Sequence, residues 1–131
     1  MKYRLPHEEV EFEIPDEWWN AAGASGFSPA MDAFVSQSDA AWPTIHVPVI
    51  DVQAPRRGTG VVGLREDRTI SILRAFRSGI ALPALQVHEE PPAGRRIFRV
   101  TDGYHRYYAS VAAGFTRLPI SVRPHFDWNA L

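Results

Sequence analysis

The feature that most limits what this chain can fold into is a junction in its last third. Residues Arg99-Val100-Thr101-Asp102-Gly103-Tyr104-His105-Arg106-Tyr107-Tyr108-Ala109 leave a strand-like run, 97–100, pass through Thr-Asp-Gly, and enter a segment with helical spacing. Tyr104, Tyr108, Val111 and Phe115 fall at i, i+4, i+7 and i+11, a stripe that predicts core packing, and Gly114 supplies a stop. Ala109, Ala112 and Ala113 let such a helix lie close to a sheet. The first backbone N–H groups of a helix lack internal partners and carry partial positive charge. An arginine beside them adds a fixed cation and a fork of donors, a combination that suits a phosphate or carboxylate.

The chain has 131 residues, enough for one domain with one core, and 45% are hydrophobic, so that core can be of ordinary size. No apolar run is long enough to span a bilayer, and the first residues lack the apolar centre of a secretory signal. Cysteine is absent, which excludes disulfides, thiolate catalysis and cysteine metal sites and fits a cytoplasmic location. The net charge of −1 argues against a dedicated nucleic-acid binder. Its distribution is uneven. Residues 1–44 carry eight acids and two bases, whereas the remainder carries seven acids, twelve arginines and no lysine.

Val-Glu-Phe-Glu-Ile at 10–14 predicts a half-buried strand with an acidic outer face, stopped by Pro15. Asp16 is positioned to cap a short helix carrying Trp18 and Trp19, ended by Gly23. Residues 23–44 read as an irregular arm with a short helix at 29–36. The body opens with a strand over 45–52, in which Pro48 forces an edge or a break. A loop rich in arginine and glycine, 54–63, leads to a helix over 66–77. Thr69, Ile72, Leu73 and Phe76 form its buried stripe, acids open it, arginines close it, and Gly79 follows. A strand from Leu85, a turn at Pro91-Pro92-Ala93-Gly94 and the 97–100 strand make an antiparallel pair. The second helix spans 104–113 and a last strand 118–122. The expected fold is α+β, a small mixed sheet in the order strand, helix, strand, strand, helix, strand, with 1–44 as an N-terminal extension packed on a 45–131 domain.

This order, joined to Asp102-Gly103-Tyr104-His105-Arg106, Ala112-Ala113-Gly114-Phe115 and Leu118-Pro119, resembles the ParB/sulfiredoxin superfamily over about residues 45–123. The segments around Val47-Pro48-Val49-Ile50-Asp51 and 82–87 look like that family's first two strands. The resemblance implies a small nucleotide-binding fold whose loop and helix start hold phosphates, with ATP or CTP and Mg²⁺ as the implied ligands. It carries the phosphate role onto Gly103, His105 and Arg106, and onto Asp102. The departures are specific. Tyr104 stands where sulfiredoxin has its reactive cysteine, so that chemistry is excluded. The Glu-Asn motif and the helix-turn-helix of ParB are missing, so DNA clamping is not expected.

Each candidate also has a plainer role. Asp102 orients Arg106, binds Mg²⁺ with a nucleotide, or caps the helix, and capping is the most economical. Gly103 admits a phosphate to the backbone or supplies an unusual dihedral. His105 donates to a phosphate or is satisfied by its neighbours. Arg106 holds an anion or pairs with Asp51, Asp67 or Asp102. Asp51, at a strand end, is the candidate catalytic base, or simply starts a turn. Arg65 and Arg68, at the start of the first long helix, are further anion contacts. The Arg56-Arg57-Gly58 loop matches no phosphate-loop pattern. No histidine has metal-ligand spacing; His125 and Asp127 are too short a pattern for a site, and Trp128 joins the other tryptophans as core cover or partner surface. The resulting expectation is a nucleotide-binding protein, either a small phosphotransferase or nucleotide hydrolase. The alternative is a non-catalytic regulatory module whose extension contacts a protein partner or a second copy.

Overall fold

A computed structural model describes residues 1–6, 10–55, 62–90 and 97–124. Its architecture is α+β: three helices and a curled five-stranded mixed sheet, with a separate two-stranded ribbon. The ribbon pairs β1 (Lys2–Arg4) with β2 (Glu11–Glu13), antiparallel. Then come α1 (Asp16–Ala21), β3 (Ile45–Pro48), a 3-10 turn (Val49–Asp51), β4 (Val52–Gln53), α2 (Glu66–Ser78), β5 (Leu85–Glu90), β6 (Ile97–Asp102), α3 (Tyr104–Ala113) and β7 (Arg117–Val122). The sheet order is β3-β7-β5-β6-β4, with antiparallel β3/β7 and β5/β6 pairs and parallel β5/β7 and β4/β6 pairs.

The strand expected over 45–52 is two strands. Pro48 ends β3, three residues form the 3-10 turn, and β4 begins on the far edge of the same sheet. Four strand spacings in a flat sheet amount to about 19 Å. The four-residue step from Pro48 to Val52 reaches at most ~14 Å even if fully extended. The sheet must therefore curl until its two edges approach each other. Pro119 is tolerated inside β7 because β5 pairing starts only at Ile120, so the missing donor falls just outside that ladder.

Both long helices form where their spacing predicts. In α2, Thr69, Leu73 and Phe76 are buried, and Gly79 closes the helix at φ 68° with its N–H donating to the Ala75 carbonyl. In α3 the stripe is broader than the sequence pattern indicates. Tyr107, outside the expected stripe, is among the largest fully buried side chains, and its hydroxyl donates to the Val52 carbonyl at 3.3 Å. This contact ties α3 to β4, the strand that completes the curl.

The N-terminal residues are built into the same core. Leu5, Phe12, Ile14, Ala22, Ala24 and Phe34 belong to one apolar cluster with Leu73, Leu85, Val100 and Ile120. Phe12 meets Tyr108 edge-on at 5.0 Å, and Phe34 stacks on Phe76 at 5.5 Å. Two details of the arm differ from expectation. Asp16 does not cap α1: Pro15 occupies the cap position with no side-chain bond, and Asp16 is the first helical residue, its carboxylate 3.6 Å from the N-terminal ammonium. No helix forms over 29–36. There the chain is held instead through its backbone, by a bridge between Ser36 and Leu82 and by the Asp32 carbonyl accepting from Thr116 and Arg117. The stretch is short, and an isolated helix of that length is marginal, so external backbone partners win. The expected turn at 91–94 lies outside the described residues.

Candidate functional site

A cleft of about 780 Å³ opens where β6 ends and α3 begins, with the first turns of α2 forming its opposite wall. The β6–α3 turn gives it shape. Gly103 sits at φ 116°, ψ 32°, and takes the N-cap position of α3 with no side-chain cap and no acid in the first turn. A Cβ added there would stand 2.4 Å from Leu85 Cδ2 and 3.1 Å from Arg106 Nη2. The glycine is thus required by the fold itself, because neither the dihedral nor the packing admits a side chain. That corrects the expectation for Asp102, which is exposed and does not cap the helix. A left-handed glycine takes the capping position and displaces the aspartate by one residue.

Arg106 curls back beneath Gly103. Its side chain is 17% exposed, Nη2 donates to the Ala84 carbonyl at 3.4 Å, and the same nitrogen lies 3.9 Å from Asp102. Nε is buried and makes no hydrogen bond among the described residues. Burial pulls the guanidinium below its ordinary value, and the Asp102 charge works in the opposite direction. Of the three acids considered as ion-pair partners for Arg106, the partner is Asp102.

The first two residues of α3 act on α2. Tyr104 accepts from the Gly63 N–H at 3.1 Å, and His105 Nε2 accepts from the Arg65 N–H at 3.0 Å. An accepting Nε2 requires the tautomer with the proton on Nδ1. This ring therefore has a structural task, clamping the chain that leads into α2. Replacing Tyr104 with Phe removes the acceptor of the Gly63 N–H, an exposed group that water can then serve. We expect a loss of about 0.5–1 kcal/mol in a urea unfolding titration, and an unchanged midpoint would show that the clamp contributes nothing.

The α2 end is largely served by its own acid. Against a desolvation that pushes the other way, the Arg68 backbone N–H and the Arg65 guanidinium at 3.1 Å hold the Asp67 carboxyl below the usual carboxylate range. Arg68 projects from the same turn, is exposed, lines the cleft, and makes no ion pair among the described residues.

The fold brings Arg68, Asp102, Gly103, His105 and Arg106 to one cleft. It does not bring Asp51 there. The break at Pro48 places Asp51 in the 3-10 turn rather than at a strand end, outside the cleft lining. The Arg56-Arg57-Gly58 loop and the pair His125 and Asp127 lie outside the described residues. Two lining residues escaped the sequence reading, His88 and Arg99, which face each other as register partners on β5 and β6. Only a fixed hairpin register could have revealed them. Arg99 is committed to the fold: it donates to Glu90 at 3.0 Å, the Ala54 carbonyl at 2.8 Å and Gln53 at 2.5 Å, binding β4 to the hairpin.

Among the described residues no group of three or more histidines and acids is arranged to hold a metal ion. Both carboxylates lining the cleft face a guanidinium, Asp67 that of Arg65 and Asp102 that of Arg106, so neither is a ready Mg²⁺ ligand. No helix is long and apolar enough to cross a membrane among the described residues. No protein-family model matches the chain, and no curated protein matches it.

Proposed function

We propose that the cleft binds a phosphate-bearing small molecule of the nucleotide class. The observation that carries this reading is the meeting, across one small-molecule-sized cleft, of partly buried Arg106 and exposed Arg68, whose Nε and guanidinium respectively have no partner among the described residues. Its volume of about 780 Å³ falls in the range of ligand pockets. The start of α3, with no acid of its own, adds favourable dipole for an anion. The element order and the curled mixed sheet support a ParB/sulfiredoxin-like topology, and with it a ligand of the nucleotide class. No reaction is assigned, because Asp51 stands away from the cleft and its lining acids are engaged with arginines.

The test is calorimetric titration of the chain with AMP, CMP, ATP, CTP and inorganic phosphate, repeated on Arg68→Ala and Arg106→Gln. Glutamine keeps volume beneath Gly103 and a donor for Ala84 while removing the charge. Binding to the unaltered chain, weakened roughly tenfold or more in Arg106→Gln, is expected. Failure of every ligand at millimolar concentration, with the fold intact by circular dichroism, overturns the proposal. One observation favours the regulatory alternative: the contact between Asp102 and Arg106 already supplies an internal anion. A chain that binds none of these ligands would point to that reading.

A further inference from the structure

The charges around the cleft restrict what it can hold. Two of its lining arginines, and Arg65 beside it, are matched by carboxylates. Arg99 is matched by Glu90 at 3.0 Å, Arg65 by Asp67 at 3.1 Å, and Arg106 by Asp102 at 3.9 Å. Among the described residues this leaves Arg68 as the one lining cation without a carboxylate. The α3 end adds only a partial charge. A triphosphate without a metal brings about four negative charges, and among the described residues the cleft lining offers no second unmatched guanidinium to meet them. Asp102 itself, 66% exposed on the same wall, repels each added phosphate.

On the reading that the cleft binds nucleotides, we infer that its ligand carries a single phosphate, a monoester of nucleoside size, and that Asp102 discriminates against polyphosphates. One phosphate can be met by Arg68, the α3 end and the spare donors of Arg106. Asp102 is thus a specificity-determining residue rather than a metal ligand. Its loose 3.9 Å contact keeps Arg106 neutralised until a ligand phosphate takes its place.

The experiment titrates AMP against ATP, and CMP against CTP, in buffer with EDTA, using the unaltered chain and Asp102→Asn. The monophosphates should bind more tightly than their triphosphates. Asp102→Asn should strengthen triphosphate binding about fivefold and narrow the difference. Asp102 is exposed, so the variant should keep the fold, and the comparison in the unaltered chain stands without it. Tighter binding of ATP and CTP than of AMP and CMP overturns this inference while leaving the nucleotide reading in place. An unchanged preference in Asp102→Asn overturns the role given to that residue. No binding by any of the four overturns the nucleotide reading, and this inference with it.

Discussion

Gly103→Ala should destabilise the chain by about 2–5 kcal/mol, read as a large drop in the urea midpoint at unchanged slope. Two independent terms add. The backbone at φ 116° lies where L side chains are strained. The new methyl would also meet Leu85, which is fully buried and cannot turn away, at 2.4 Å. Relief must come from moving the start of α3, and Arg106 moves with it because its Nη2 is 3.1 Å from the same point. The variant should therefore lose stability and any anion binding together. A stable variant that still binds would mean that the β6–α3 turn does not have the described geometry.

Tyr107→Ala should cost about 3–5 kcal/mol, a large fraction of the stability of a small domain. Its side chain is 1% exposed, and its ring fills the space between α3 and β4. Tyr107→Phe separates the two contributions. It keeps the ring, removes the hydroxyl that donates to Val52, and should cost about 1 kcal/mol. Thermal unfolding of both variants checks the pair. Equal losses would mean that the hydroxyl matters as much as the ring, contrary to the packing described.

The long helices were legible because their apolar residues recur at helical spacing and a glycine follows each one, and the structure closes both with left-handed glycines. The cleft was legible in part for the same reason. A strand that runs through Asp-Gly into a helix fixes where Arg106 begins, and its contact with Asp102 is local, four residues apart. Features set by distant partners were not legible. The division of 45–52 depends on β6 and β7 recruiting different halves of one run. Its outcome moves Asp51 out of the site. Tyr107 fell outside the expected stripe because nothing local shows that β4 lies against it. The roles of His105 and Tyr104 were also hidden, since their partners Arg65 and Gly63 lie 40 and 41 residues away.

The two-edged use of residues 45–53 has a consequence for how the polypeptide acquires its shape during synthesis. This stretch leaves the ribosome before its partners, because β3 needs residues 117–120 and β4 needs residues 98–99 before either has a hydrogen-bonding neighbour. Both halves must wait, with Val52 exposed, until those partners have emerged. Order then arrives late and all at once, as expected where ladder contacts span long intervals of chain.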